Sequence, residues 1–263
     1  MSATTSSEAI AATFAALRSR GRKALVPYIT AGHPDRGQSI ALLQALAAAG
    51  ADVIEVGVPF SDPLADGPVI QASSQRALAQ GVTFDAVLEI VAAAAVAAPI
   101  VLFSYLNPLL AAGPDALARA ADAGVHGVLV TDLPVGADPE REAWLGESPL
   151  AFIRLVAPTT PRERMREITR HGSGFVYLIS RLGVTGVRET LPPELPETVA
   201  RLRDVTALPI CVGFGVATPE QAAAVAALAD GVVVGSAIVR AAGESVDRAA
   251  ALAASLRAAI NAS

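Results

Sequence analysis

Two carboxylic acids give the clearest chemical signal in this 263-residue sequence. Glu55 interrupts the apolar run 52–57 near its C-terminal end, and Asp66 lies in the proline-rich loop that follows. Burial disfavours an ionised carboxylate, so the pKa of Glu55 is expected to rise toward the range that suits acid/base catalysis. The pair therefore indicates proton-transfer chemistry.

Each acid also has a purely structural explanation. Glu55 could pair with a buried polar group and only stabilise the fold. Asp66 precedes Gly67 and Pro68, so it could be the N-cap of the next helix. The presence of both acids on one strand and its loop favours an acid/base pair over two unrelated structural roles.

Glycines near the C-terminal end of the chain predict a phosphate site. Gly213 and Gly215 follow one apolar run, and Gly235 and Ser236 follow the next. Glycine lets backbone N–H groups approach an anion closely, and a helix starting after Gly235 would direct its N-terminus at that anion. Each glycine alone is better explained by a tight turn, but the two loops together favour a phosphate site. The glycine-punctuated segment 180–187 is long enough to close as a lid.

Lysine, histidine and cysteine are rare in this sequence, and their positions disfavour several catalytic mechanisms. Lys23 is the single lysine and precedes the first predicted strand, which disfavours imine chemistry. His126 and His171 also precede strands. Only His33 follows one, and it is interpreted as a surface loop residue, so no metal site is predicted. Cys211 is interpreted as a small core residue.

Short apolar runs alternate with Ala/Leu-rich segments along the whole chain. The predicted strands cover residues 24–30, 52–57, 100–105, 127–131, 150–155, 175–179, 209–213 and 231–235. Helices are predicted at 37–49, 68–79, 84–97, 114–123, 138–145, 161–171, 195–204, 219–228 and 246–260, with an additional one at 8–20. This alternation requires a parallel sheet with right-handed crossovers.

Eight such units predict a (β/α)8 TIM barrel with an extra N-terminal helix, spanning 1–263 as a single domain. A doubly wound open sheet is the alternative. In a barrel, functional groups collect at the carboxyl ends of the strands, where Glu55 and Asp66 are predicted to lie.

Composition limits the possible partners and compartments. The net charge of -5 predicts no surface for nucleic acid or an anionic membrane. The single cysteine and the lack of a signal-peptide pattern lead us to expect a cytoplasmic protein. The nearly charge-free stretch 87–110 could be a membrane span, but Pro99 divides it, which favours a buried helix followed by a buried strand.

The segment from Gly57 to Pro68, with Glu55 before it, resembles the signature of tryptophan synthase alpha subunits. Further matches lie at 26–32, 105–108, 130–134, 180–186, 213–215 and 235–239, so the resemblance covers roughly residues 7–260. Tyr28 stands where some members have Phe, and Leu182 where some have Ser. These departures affect only the expected shape of the pocket and the lid.

The resemblance implies retro-aldol cleavage of indole-3-glycerol phosphate to indole and glyceraldehyde 3-phosphate. Glu55 would protonate the indole carbon that bears the glycerol chain. Asp66 would accept a hydrogen bond from the indole N–H, and Tyr177 would lie near both acids. The positions that match the phosphate site are Gly186, Gly215, Gly235 and Ser236; those that match the indole pocket are Tyr28, Phe103 and Leu129; the lid threonine is Thr185.

The resemblance also implies a beta-chain partner in an alpha2-beta2 heterotetramer. Pyridoxal phosphate is expected on that partner, because the only lysine here lies at the wrong end of the barrel. Phe60 and Leu64 flank Asp62 and suggest an apolar patch for docking, together with the loop 181–195, and Asp62 is predicted to couple the two chains. The other hypotheses are a non-catalytic regulator, a lyase that needs no partner, and a different phosphate-binding barrel such as an isomerase.

Overall fold

Eight parallel strands form a closed barrel. The computed structural model describes residues 6–179, 192–213 and 215–263. Each strand pairs with the next along the chain, and the last pairs with the first. The strands are β1 (Ala24–Thr30), β2 (Ile54–Gly57), β3 (Ile100–Ser104), β4 (Val125–Val130), β5 (Ala151–Val156), β6 (Val176–Ile179), β7 (Ile210–Gly213) and β8 (Gly231–Val234). This closure confirms the predicted TIM barrel and contradicts the open-sheet alternative.

Helices surround the barrel. They are α1 (Ser6–Ser19), α2 (Arg36–Ala48), α3 (Pro68–Ala79), α4 (Phe84–Ala94), α5 (Leu106–Ala111), α6 (Ala116–Asp122), α7 (Pro139–Gly146), α8 (Arg162–Arg170), α9 (Leu195–Arg203), α10 (Pro219–Ala226), α11 (Ser236–Glu244) and α12 (Val246–Asn261). Helix α5 was not predicted, and only the N-terminus of α11 was anticipated. Both are additions to the simple alternation, and both begin at the carboxyl end of a strand.

Alternation along the strands separates an inner core from an outer one. Ile54 and Val56 pack outward with residues from the surrounding helices, whereas Val53 belongs to the cluster inside the barrel. Because successive side chains on a strand point to opposite faces, Glu55 shares the inward direction of Val53. The strand therefore directs the carboxyl group into the barrel.

Helix α1 fills the N-terminal end of the barrel. Its buried residues Ile10, Phe14 and Leu17 join the inner cluster, and the rings of Phe14 and Phe175 are 5.7 Å apart. A Cβ at Gly127 would lie 2.7 Å from the side chain of Ile153 and 2.8 Å from that of Ile10, so the glycine leaves room for both side chains where the helix meets the strands. The predicted extra helix is thus confirmed, and the polar side chains of the barrel lie toward its opposite end.

The charge-free stretch 87–110 contains a helix followed by a strand, as interpreted from Pro99. Helix α4 ends at Ala94 and β3 begins at Ile100. Within the described ranges, no single helix has the length and apolar character needed to cross a membrane. The pair α3 and α4, bent by 99° between its two helices, meets the criterion by length and composition alone.

Candidate active site

Glu55 is a buried carboxylic acid without a compensating charge. It lies on β2 between Tyr28 of β1 and Val101 of β3, and only 1% of its surface is exposed. Among the described residues, its Oε1 atom has no hydrogen-bond partner. Burial raises the pKa of Glu55 to about 8. The group is therefore mainly protonated at neutral pH and can act as a general acid.

Asp66 is the second acid. Its side chain bonds to Tyr105, the residue after β3, and not to the backbone of helix α3. Its Oδ2 atom accepts a hydrogen bond of 3.2 Å from the hydroxyl of Tyr105. Burial raises the pKa of Asp66 to about 6, and this hydrogen bond opposes the rise. The N-cap of α3 is Gly67, which makes no side-chain cap bond, so the helix-capping interpretation of Asp66 is wrong.

The two acids thus differ in charge at neutral pH. Glu55 holds its proton, while Asp66 is mainly ionised, because burial affects Glu55 more and Asp66 has a hydrogen-bond donor. A protonated acid and a carboxylate in one site can donate a proton to a ligand and then stabilise the resulting positive charge.

Aromatic rings form the walls beside these acids. Phe103 contacts Tyr28 edge-on at a ring distance of 5.3 Å, and its ring is 6.4 Å from that of Tyr177. Leu129 is fully buried inside the barrel and is the β4 neighbour of Phe103. Phe103 and the largely buried rings of Tyr28 and Tyr177 therefore form an apolar wall that suits a flat, apolar ligand, and Leu129 belongs to the core packed against it.

Two strand glycines make room for the tyrosine hydroxyls, a function that the sequence analysis missed. A Cβ at Gly57 would overlap the hydroxyl of Tyr28, and one at Gly213 would overlap the hydroxyl of Tyr177. The signal was present in the sequence, because each glycine is the last residue of a strand and so lies at the functional end of the barrel.

The start of α11 is a helix N-terminus near the two acids' strand end, and a helix N-terminus can bind an anion. Gly235 is the N-cap, Ser236 begins the helix, and both are partly exposed. A Cβ at Gly235 would lie 3.7 Å from the Cβ of Tyr28, so the helix N-terminus opens beside the apolar wall. Gly215 follows β7 with a φ of 95°, a conformation that favours glycine. Gly186, Thr185 and Leu182 lie outside the described residues.

The loop between β2 and α3 has one large apolar side chain that is exposed, Leu64, and not the two that were expected. Leu64 is 90% exposed, and Asp62 is exposed with its carboxylate 2.5 Å from the hydroxyl of Ser61. Phe60 is partly buried because its ring packs on Tyr105 at 5.1 Å. The predicted exposed patch is therefore correct for Leu64 and wrong for Phe60.

His33 differs from its interpretation as a surface loop residue. It is half-buried, and its Nε2 lies close to Gly243 of α11, where a Cβ would meet it at an ordinary contact distance of 3.5 Å. Burial lowers the pKa of His33. No group of three metal-ligating side chains occurs in the described ranges. Cys211 is buried in β7, as expected for a core residue.

Comparison with known proteins identifies the family. The family model described as tryptophan synthase alpha chain matches residues 14–262. The tryptophan synthase alpha chain of Phenylobacterium zucineum is 49% identical over 243 residues, covering 90% of this chain and 87% of the relative. That of Gluconacetobacter diazotrophicus is 51% identical over 247 residues, covering 90% and 88%.

Solved structures agree. A chain of Mycobacterium tuberculosis tryptophan synthase superposes with a TM-score of 0.88 at 40% identity, covering 95% of this chain and 97% of that one. Tryptophan synthase subunit alpha of Legionella pneumophila gives 0.87 at 37% identity, covering 97% and 99%. With this likeness over nearly the whole chain and a pair of buried acids in the barrel, the chain belongs to the tryptophan synthase alpha chain family, lyases of tryptophan biosynthesis that cleave indole-3-glycerol phosphate to indole and glyceraldehyde 3-phosphate.

Proposed function

We propose that Glu55 and Asp66 perform this cleavage, in a chain that is one barrel domain over residues 1–263. The observation that carries the assignment is the pair of buried carboxyl groups whose pKa values, about 8 and about 6, give them opposite protonation states at neutral pH. A retro-aldol cleavage needs both an acid for the carbon that is released and a means of stabilising the cationic ring.

The reaction begins with proton transfer from the Glu55 carboxyl group to the indole carbon that bears the glycerol chain. Positive charge then develops on the ring nitrogen, and the Asp66 carboxylate accepts a hydrogen bond from its N–H. The bond between the ring carbon and the glycerol chain breaks, and its electron pair restores the aromatic ring. The hydroxyl on the released carbon loses its proton and becomes the aldehyde oxygen. We propose that the Glu55 carboxylate accepts this proton.

The substrate has an apolar part, the indole ring, and an anionic part, the phosphate, and each part binds to different residues. Tyr28 and Phe103 contact the indole ring, Leu129 supports this apolar wall from the barrel interior, and Tyr177 lies near the acids. Backbone N–H groups of Gly215, Gly235 and Ser236 bind the phosphate, supported by the open N-terminus of α11 next to Tyr28. From the family resemblance, Gly186 completes the phosphate site and Thr185 belongs to the lid that closes over it.

Family membership implies a tryptophan synthase beta chain as the partner of this chain. The finer proposals are an alpha2-beta2 heterotetramer in the cytoplasm, coupling through Asp62, and pyridoxal phosphate on the beta chain with no cofactor here. The exposure of Asp62 and Leu64 supports docking at this loop. The only lysine, Lys23, directly precedes β1, away from the acids, which disfavours an imine with pyridoxal phosphate in this chain.

The direct test is an assay of the purified chain on indole-3-glycerol phosphate, with and without a beta chain. We expect indole and glyceraldehyde 3-phosphate in equal amounts, faster when the beta chain is present. Equal rates in both samples would favour a lyase that needs no partner. Failure to release indole in either sample would contradict the proposed function.

A further inference from the structure

Tyr105 contacts the loop between β2 and α3 at two adjacent residues. It directly follows β3 and is the residue before α5. The backbone N–H of Ala65 donates to its hydroxyl oxygen at 2.9 Å, and the hydroxyl is 3.2 Å from Oδ2 of Asp66. A phenol has one proton, so it accepts from Ala65 and donates to the carboxylate. The direction of both hydrogen bonds is thereby fixed.

The ring of Tyr105 supports the same loop at an earlier point. Phe60 packs on it with ring centroids 5.1 Å apart and planes inclined by 36°. Tyr105 itself is 5% exposed, so its position is set by the surrounding structure. The loop is therefore held by the ring at Phe60 and by the hydroxyl at Ala65 and Asp66, while Asp62 and Leu64 between these points are exposed.

We propose that Tyr105 is a positioning residue, which holds the Asp66 carboxylate in the orientation that receives the indole N–H. The proposal rests on the function proposed for Asp66. The second carboxylate oxygen of Asp66 remains for the ligand when the first is bound to Tyr105. An unanchored carboxylate would instead lose orientation, and the transition state would be stabilised less.

The same hydrogen bond favours the ionised form of Asp66. It lowers the pKa of Asp66 against the stronger effect of burial. Other titratable groups face the region from neighbouring elements: Glu55 from β2, Tyr28 from β1, Tyr177 from β6, and Asp132, which faces Tyr105 from the loop after β4. None of these groups is a cation, so removing the Tyr105 hydroxyl should raise the pKa of Asp66.

The test is Tyr105→Phe, assayed for indole release as the complex with a beta chain from pH 5 to pH 9. The variant keeps the ring that packs on Phe60 and loses both hydrogen bonds. We expect kcat to fall by about 10- to 100-fold, the loss typical of one oriented hydrogen bond to a charged group. The acid limb of the pH profile should move to higher pH, while the KM changes by less than about 3-fold.

Trp144→Phe is the matched control. It removes one aromatic donor, the Nε1–H that bonds to the carbonyl of Pro114 at 3.2 Å, from a helix away from the acids. Its pH profile should equal that of the wild type. Replacement of Tyr105 by 3,5-difluorotyrosine gives a second, nearly isosteric variant with a stronger donor, and its acid limb should move to lower pH.

The outcomes separate the two proposals. The role of Tyr105 would be overturned if Tyr105→Phe had the wild-type kcat and an unmoved acid limb. If Tyr105→Phe fails to fold, an unmoved acid limb in the fluorinated protein would overturn it instead. Inactive Glu55→Gln and Asp66→Asn in the same assay would still support the proposed function. Full activity of those two variants would instead refute the assignment of the acids themselves.

Discussion

Glu55 of β2 is the direct strand partner of Tyr28 of β1, so a carboxylic acid and an aromatic ring lie side by side in the barrel. The acid is 1% exposed and raised in pKa by burial alone. An apolar neighbour does not stabilise a carboxylate, whereas it tolerates the neutral acid. This relationship keeps Glu55 mainly protonated at neutral pH.

The arrangement has a measurable consequence for stability. The pKa of Glu55 is about 8 in the folded protein, which is higher than in the unfolded chain. The contribution of Glu55 to the free energy of unfolding is therefore fully present at pH values below the pKa of the unfolded chain. That stability is lost as pH rises toward the folded pKa. Glu55→Gln does not ionise, so its Tm relative to wild type should increase from pH 4.5 to pH 8 and then level off. Thermal melts check this, and a pH-independent difference would show that Glu55 does not titrate in this way.

Asp66→Asn should reduce indole release strongly while the fold is preserved. The amide oxygen can still accept the Tyr105 hydrogen bond, but the amide has no charge to stabilise the cationic ring. We expect a loss of at least about 100-fold at pH 7, with the Tm changed by only a few degrees.

Wild-type activity should fall as pH drops through about 6, where Asp66 becomes protonated. Asp66→Asn should lack this acid limb. A variant that retains its activity per folded molecule would contradict the assigned role.

The phosphate site is best tested at Gly235. Gly215 has a φ of 95°, so any side chain there would add backbone strain to its effect on the ligand. Gly235 has a negative φ, and a Cβ would meet Tyr28 only at ordinary contact distance. Gly235→Ala should therefore fold normally and raise the KM several-fold, because the methyl group restricts approach to the N-terminus of α11. An unchanged KM would argue against phosphate binding here.

The periodic part of the fold was predictable from the sequence. The bounds of β1 and α3 agree with the prediction, because both have strong local signals at their ends. Helix α5 was missed because it is six residues long and contains Pro108, so its pattern resembles a loop. The start of β4 was placed two residues late because His126 and Gly127 weaken the apolar pattern.

Contacts between residues far apart in the chain could not be predicted from sequence patterns. Asp66 and Tyr105 are 39 residues apart in the chain, and no local rule relates them. For Asp66 taken alone, a helix cap was therefore an open alternative, and only its proximity to Tyr105 removes that alternative. Phe60 was placed at the surface for the same reason, since its ring packs on Tyr105, which is distant in the sequence.

Asp62→Ala should weaken activation by a beta chain without unfolding this chain. Asp62 is exposed next to Leu64, so its removal disturbs little within the barrel. We expect the midpoint of a beta-chain titration, followed by indole release, to move to a several-fold higher concentration. Identical titration curves for the variant and the wild type would exclude this loop as the coupling element.

Glu55→Gln offers the most direct measurement of the central claim. Glutamine keeps the shape of the side chain and lacks a transferable acid proton, and general acid/base groups contribute about 10²–10⁴-fold to rates. Indole release by the variant, measured with a beta chain at pH 7, should fall by at least about 100-fold while binding of glycerol phosphate stays unchanged. Turnover near that of the wild type would contradict the assignment of Glu55 as the proton donor.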